Sequence, residues 1–342
     1  MPKETIRYVL RKRFPELGLR VETLVDYAKL GLERYFVMLK FSSDILDHAT
    51  EILERLAKVA FLTYRSALAF EPWHVAMFAV PVSLSDEFHA FLLRMTKTGI
   101  LKSTRTERLE WTRHPELKSR YHDFRSREWI VDWKKIDSQG EPPPSILPVH
   151  EPTARPEIDA VDILVIKELE LDSWRNFAEI SRKLGMNDRT IRWHYTNHVS
   201  PLINSYYVRW LPVDSKEMTK VIGLVCEFHN LSRYRLNKIR RLFNTFPFTW
   251  YEGGRSDGYY QIHSGIPAQH LMDSLRFLRT NLREILSDWT TFALDLSLSL
   301  TEPYTIPYEN FDDKNGWSFD QKKALNSVLF ARAATKNIRG GP

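Results

Sequence analysis

The chain contains one plan twice, and that repetition limits its folds more than any other feature. Near the start stands Thr5-Ile6-Arg7-Tyr8, matched much later by Thr190-Ile191-Arg192-Trp193. YFVMLKF (35–41) is matched in position and character by VIGLVCEF (221–228). YHDFRSREWIVD (121–132) is matched by YENFDDKNGWSFD (308–320), each placing Tyr, Phe, Trp and Asp in that order. The copies lie roughly 185–188 residues apart, as a duplicated unit requires.

Hydrophobic periodicity predicts the same element order in both copies. In the second, Thr219–Phe228 is an apolar β-type run, and 232–245 shows helical spacing through Leu236, Ile239 and Phe243 with basic residues opposite. FTWYEGG and GYYQIHSG read as strands around a turn rich in Gly253, Gly254, Asp257 and Gly258. A helix opening at Pro267 carries Leu271, Leu275, Leu278 and Leu282 on one side, and FALDLSLSL alternates as a half-buried strand does. The first copy reads as strand Arg34–Phe41, helix 44–58, strands near 60–67 and 73–81, helix 84–97 and a strand near 101–111. A βαββαβ order predicts a ferredoxin-like layer, four antiparallel strands with both helices on one face. The other face needs a cover, so the two sheets are expected to cover each other as an intramolecular pseudo-dimer. DSQGEPPPSILPVHEPTARPEI (137–158), with six prolines, reads as an extended linker.

Residues 158–212 predict a winged helix-turn-helix. Ile163, Leu164, Ile166, Leu169 and Leu171 mark its first helix, and Asn176 caps a second whose Ala178, Ile180 and Leu184 point inward. Gly185 supplies a left-handed turn, Asn187 or Asp188 caps the third helix, and Ile191 and Tyr195 anchor it. Its outer side then presents Asn187, Arg189, Thr190, Arg192, Trp193, Thr196 and Asn197, groups suited to phosphates and base edges in a major groove of double-stranded DNA. SYYVRWLP (205–212) fits a wing or connector strand. Residues 3–14 look like the third helix of another such unit, with Ile6 and Leu10 inward and Lys3, Arg7, Arg11 and Lys12 outward toward phosphate.

A helix-turn-helix followed by βαββαβ resembles the Lrp/AsnC (feast-famine) transcription regulators with their RAM effector domain. DILVIKEL, FAEISRKLGMNDRTIRWHY and the strand–helix order after residue 218 carry the resemblance. It implies a sequence-specific DNA-binding regulator, a homodimer, and a small-molecule effector such as an amino acid near Ser256, Asp257, Gly258 and Tyr259. The family's β2–β3 turn usually reads Gly-Asp-Tyr-Asp, whereas 256–260 here is Ser-Asp-Gly-Tyr-Tyr. The siroheme decarboxylases of haem biosynthesis share the same plan, also as fused pairs, and supply an enzyme alternative. A third reading is an assembly protein that does not bind DNA.

The expected fold is therefore α+β: one complete winged helix-turn-helix plus two RAM-type ferredoxin-like domains. The expected domains are a basic remnant of a first helix-turn-helix (1–20), a RAM-like domain (21–112), an aromatic and basic extension with the linker (113–157), the winged helix-turn-helix (158–212), a second RAM-like domain (213–302) and a C-terminal extension and helix (303–342). That last helix, FDQKKALNSVLFARAATKN, suggests a dimer contact, and the aromatic sets Tyr121/Phe124/Trp129 and Tyr308/Phe311/Trp317 suggest packing of each extension on a domain. A net charge of +6 is modest, no apolar run approaches the ~20 residues of a membrane span, and the single Cys226 cannot form an internal disulfide, so a cytoplasmic protein without a membrane partner is expected. His194 and His198 have metal-ligand spacing but no third ligand nearby in sequence, so no metal is expected. Without a phosphate-cradling loop, a nucleophile elbow or a nucleophile set, neither a cofactor nor enzyme activity is expected.

Overall fold

The computed structural model describes residues 2–137, 145–146, 151–152, 157–210, 220–283, 289–296 and 305–329. Most of the expected linker, the end of the expected wing, the last turn of the 267–286 helix, the end of the FALDLSLSL strand and the chain beyond 329 lie outside the described residues.

The first copy begins with α1 (Lys3–Tyr8), continued by a π turn over Val9–Arg13 and a last turn at Phe14–Glu16. There follow β1 (Leu19–Val25), β2 (Leu32–Phe41), α2 (Ala49–Val59), β3 (Leu62–Leu68), β4 (Trp73–Pro81), α3 (Ser85–Lys97) and β5 (Leu101–Leu109). Its extension holds β6 (Trp111–Arg113) and a small hairpin of β7 (His122–Asp123) and β8 (Glu128–Trp129). The second copy runs α4 (Ala160–Leu171), α5 (Phe177–Leu184), α6 (Asp188–His194), β9 (Ile203–Trp210), β10 (Val221–Phe228), α7 (Arg233–Thr245), β11 (Thr249–Gly254), β12 (Tyr260–Pro267), α8 (Leu271–Arg283) and β13 (Thr290–Asp295). Its extension repeats the small hairpin as β14 (Phe311–Asp312) and β15 (Gly316–Trp317), and a final helix, α9, spans 321–329. The fold is α+β, with both βαββαβ sequences present as expected.

The chain forms two compact units, and each is assembled from both copies. One consists of Met1–Glu22, Leu109–Val149 and Tyr207–Leu298, the other of Thr23–Arg108, His150–Tyr206 and Ser299–Pro342. The second copy's sheet is thus packed by the first copy's extension, and the first copy's sheet by the second copy's extension and three-helix segment.

In the first-sheet unit the strand order is β5-β2-β4-β3, with β2 and β3 antiparallel to β4. Alternate residues Tyr35, Val37, Leu39 and Phe41 of β2 face Ile52, Leu53 and Leu56 of α2 and Phe88, Phe91 and Met95 of α3. Fully burying one such side chain stabilises the fold by about 1.5–3 kcal/mol. Ala324 and Val328 of α9 enter this same core. Along its described part this helix therefore packs Ala324 and Val328 on its own chain; the rest of the expected helix lies outside the described residues. A second core in this unit joins α4, α5 and α6, through Ile163, Val165, Ile166, Ile180 and Ile191, to Val25, Leu30, Leu32 and Ala79 of the first copy. Trp317 closes it, donating Nε1–H to the Leu30 carbonyl at 2.8 Å.

In the second-sheet unit the order is β13-β10-β12-β11-β6. Leu224, Cys226 and Phe228 of β10 and Tyr260, Ile262 and Ile266 of β12 pack on Ile239, Leu242 and Phe243 of α7 and Leu278 and Leu282 of α8. Strand β6, from the first copy, completes the edge against β11, and Trp129 and Trp133 of the same extension pack on Phe246 and Phe248.

Two details confirm that the copies share one architecture. Each has a register shift at the same place, between Leu62 and Tyr64 on β3 and between Thr249 and Tyr251 on β11. Each also ties its first helix to its second strand by an ion pair, with the charges exchanged. Arg65 of β3 meets Glu54 of α2 at 2.9 Å, and Glu252 of β11 meets Arg240 of α7 at 3.1 Å. Arg240 was expected among the solvated basic residues of its helix; instead it is buried against Glu252, which also accepts from Arg113 and from the Tyr260 hydroxyl. No described helix is long and apolar enough to cross a membrane.

Candidate functional sites

The first candidate is the outer side of α6. Asn176 and Glu179 form a reciprocal capping box at the start of α5, and Gly185 ends that helix in the left-handed region at φ 67°. Buried Glu168 of α4 accepts from Arg175 and, at 2.8 Å, from Lys183, tying the first two helices together. Within α5, Ile180 and Leu184 turn inward as expected, but Ala178 is exposed and Phe177 takes the remaining inward position. Asn187 is used as the N-cap of α6, accepting from the Arg189 amide at 2.8 Å. Arg189, Thr190, Arg192, Trp193, Thr196 and Asn197 are all exposed. Arg192 is held by Asp188 at 2.8 Å and lies over the Phe177 ring, while Asn197 donates to the Trp193 carbonyl. β9 pairs with β1, so the 203–210 segment is a connector strand.

At the N-terminus no residue of α1 is buried, and Lys3, Arg7, Arg11 and Lys12 are exposed. Ile6, expected inward, is 40% exposed: the helix has the predicted amphipathic spacing, yet no described part of the chain closes over that side chain.

The inner side of α6 holds a second cluster. His194 Nδ1 lies 2.8 Å from Asp162 Oδ1, and His198 Nδ1 lies 2.9 Å from Asp162 Oδ2. Asp159 Oδ1 stands 3.6 Å from His194 Nδ1. Asp159 and Asp162 form the reciprocal cap at the start of α4, so the residues that begin the first helix converge on those that continue the third. The two histidines were legible as a pair four residues apart. Their carboxylate partner Asp162 lies 32 and 36 residues upstream of them, and only packing of α4 against α6 brings the four side chains together.

The third candidate is the sheet face turned away from α7 and α8. Strand alternation places Val225 and Glu227 of β10, Gln261 and His263 of β12 and Tyr251 of β11 on that side, with Tyr251 directly opposite His263. All are buried except for small edges. Tyr259 donates to Glu227 at 2.7 Å and also reaches the side-chain Oε1 of Gln261 at 3.0 Å. The Tyr251 and His263 rings meet edge to face at 5.0 Å, and His114 stacks flat on Tyr207 at 3.8 Å while contacting Tyr251 at 5.4 Å. Burial holds the His263 imidazole neutral, pushing its pKa down to about 3.

The corresponding face of the first sheet has a different character. β4 ends at Pro81 as β12 ends at Pro267, so Gln261, His263 and Gly265 correspond to Val75, Met77 and Ala79. Through the strand register, Gly223, Val225 and Glu227 of β10 then correspond to Arg34, Phe36 and Met38 of β2. Of the polar side chains on the second face, Tyr251 alone keeps its chemistry, as Tyr64. One copy presents a mostly apolar face with bulky side chains; the other presents a polar face with two glycines.

The turn expected to hold an effector is closed on itself. Asp257 accepts from Arg255 at 2.7 Å and from the Tyr259 amide at 3.1 Å, and the Ser256 amide donates to Glu110 at 2.8 Å. Gly258 has φ 92°, and a Cβ there would stand 2.5 Å from the Leu231 carbonyl oxygen. Of these four residues Tyr259 alone reaches the buried polar face.

No protein-family model and no curated protein sequence matches the chain. Among solved structures, it is similar to the siroheme decarboxylase NirDL in co-complex with an iron-uroporphyrin III analogue, at 10% identity and a TM-score of 0.51 over 97% of this chain and 90% of that one. A second NirDL structure matches at 10% identity and a TM-score of 0.50, over 98% of this chain and 90% of that one. E. coli AsnC matches at 14% identity and a TM-score of 0.29, over 40% of this chain and 91% of that one. The NirDL likeness shows the fold, a doubled ferredoxin-type arrangement running nearly the whole length of the chain. It also corrects one expectation: the architecture read as that of a non-enzyme is, over nearly its full length, the architecture of an enzyme.

Proposed function

We propose that the chain is an enzyme of siroheme-decarboxylase type, acting on carboxylate side chains of an iron tetrapyrrole, with the polar face of the second sheet as its chemical side. The observation that carries this reading is the asymmetry between the copies. Duplication produces two equal faces, yet Glu227, Gln261 and His263 stand where the first copy has Met38, Val75 and Met77. Buried polar groups cost stability that an apolar set does not, so a face that keeps them in a fold able to do without them is a site for chemistry. The likeness to NirDL supplies the reaction class.

Decarboxylation breaks a carbon–carboxylate bond, releases CO2 and leaves an electron pair on carbon that must take up a proton. Tyr251, in ring contact with His263, offers an O–H on this face, and we assign it to that proton delivery; the neutral imidazole of His263 positions the Tyr251 ring. Glu227 orients Tyr259 by accepting its hydroxyl. The test is to mix the full chain with siroheme, follow binding by visible absorbance and follow loss of CO2 by mass spectrometry. Tyr251→Phe is expected to lower the rate by about 10²–10⁴-fold while binding persists. A chain that neither shifts the siroheme spectrum nor releases CO2 rules the reading out.

A second reading, a sequence-specific regulator that binds double-stranded DNA as a homodimer and answers to a small effector, is favoured by the exposure of Arg189, Thr190, Arg192, Trp193 and Thr196 on one helix side. It predicts that Arg189→Ala costs about 1–3 kcal/mol at a selected site. Neutralising Arg7, Arg11 and Lys12 should flatten the salt dependence without changing sequence preference. Fluorescence anisotropy against a randomised DNA pool decides it; equal, salt-quenched affinity for every sequence argues against a regulator.

A further inference from the structure

We propose that Asp159, Asp162, His194 and His198 bind one divalent transition-metal cation of the Zn2+ class, which clasps the start of α4 to the C-terminal part of the helix begun by α6. This site is independent of the tetrapyrrole reading: it lies in the three-helix segment, with none of its residues on the second sheet.

The donor set comes first. Two imidazole nitrogens and two carboxylate oxygens form a borderline N2O2 set, which suits Zn2+ and its first-row neighbours and suits Mg2+ or Ca2+ poorly. One ligand atom from each of the four residues lies within 4.8 Å of all the others. Bonds of about 2.0–2.2 Å to a central ion place tetrahedral ligand atoms roughly 3.3–3.6 Å apart. The observed 3.6 Å separation already fits, those of 2.8 and 2.9 Å must open by about 0.4–0.8 Å, and the widest pair of the cluster, within 4.8 Å, must close by roughly 1 Å, shifts within reach of side-chain rotation.

Charge comes second. The Asp162 side chain is wholly buried. Its described partners are the two histidines and, at 3.0 Å, the Asp159 amide, and no described lysine or arginine pairs with it. A second carboxylate, Asp159, converges on the same His194 nitrogen. Two carboxylates facing two imidazoles leave a negative excess that a divalent cation cancels. Access comes third: Asp159 is 40% and His198 32% exposed, so the cluster has an open side while its inner half is dry. Binding replaces the Asp162–imidazole hydrogen bonds with metal bonds to neutral imidazole nitrogens, and any proton held between them leaves to solvent. The bound ion would fix the outer side of α6 relative to α4.

The experiment titrates ZnCl2 into chelator-treated full chain by calorimetry, with Co2+ absorbance reporting ligand geometry and MgCl2 and CaCl2 as controls. One Zn2+ per chain, a tetrahedral Co2+ spectrum, a raised melting temperature and no response to Mg2+ or Ca2+ are expected. Asp162 caps α4, so its replacement risks unfolding, and the informative variants are Asp159→Asn and His198→Gln. Asn caps a helix as well as Asp does, so Asp159→Asn removes the charge and keeps the cap. Each variant removes a direct ligand, so each is expected to cost more than the roughly 10–100-fold in affinity that loss of an outer-shell partner costs. The site is overturned by absence of Zn2+ binding to folded chain, by an equal response to Mg2+, or by affinity unchanged in both variants.

Discussion

Buried His263 and His74 contribute to stability in opposite measure to their charge. Burial pushes the His263 pKa down to about 3, and burial, with Arg65 nearby, pushes His74 down to about 4. Unfolded histidine titrates near 6.5, so between that value and the folded pKa the unfolded chain binds protons that the folded chain refuses. Stability is thus full above about pH 6.5 and falls with acidification at up to about 1.4 kcal/mol per pH unit for each histidine. Urea unfolding from pH 7.5 to 4 should show this slope, and His263→Phe should lessen it; an unchanged slope would place His263 in water. Gly258 poses the other residue-level demand. With φ at 92° and a Cβ brought within 2.5 Å of the Leu231 carbonyl oxygen, Gly258→Ala is expected to cost about 1–3 kcal/mol, read from the urea midpoint.

At the scale of elements, the small hairpins show what each extension does. β7–β8 and β14–β15 have the same form; Asp123 accepts from the Arg125 amide and Asp312 from the Asn315 amide, which holds both carboxyls below the usual range. Trp129 packs on Phe248 of the second sheet's unit, whereas Trp317 seals Leu30 in the first sheet's unit. Each tryptophan therefore supports the sheet of the other copy. Trp317→Ala should cost about 3–5 kcal/mol and raise amide exchange first in β2 and α4, leaving β10 and β12 protected. Trp129→Ala should reverse that pattern. Exchange rising around each tryptophan's own copy instead would contradict the reciprocal packing.

For the whole molecule, interleaved copies make the two halves dependent on one another. A protease site placed between Asp137 and Glu157 would sever the backbone link between copies and leave their packing intact. The two fragments are expected to co-elute on size exclusion and to separate only in denaturant, since each sheet is covered by elements of the other fragment. Fragments that part in native buffer would show that each copy folds alone. The same interleaving explains how one face came to differ. Once a duplicated pair is fused, substitutions such as Met77 and His263 at equivalent strand positions are no longer bound to be identical, so one sheet can carry chemistry and the other can remain apolar.

What the sequence determined by itself was everything governed by local period and spacing. The apolar alternation of VIGLVCEF, the helical spacing of Leu236, Ile239 and Phe243, the caps at Asn176 and Asn187 and the left-handed Gly185 depend on residues a few positions apart, and they placed the elements. Composition also marked the exposed basic side of α6. Tertiary structure decided which surfaces meet. That Arg240 is buried against Glu252, that α9 fills a core, that the first copy's tryptophans serve the second copy's sheet, and that Asp159 and Asp162 join His194 and His198 all depend on pairings far apart in the chain. Such pairings leave no periodic trace, because burial constrains a residue's size and polarity but not which distant partner supplies the other half of the contact.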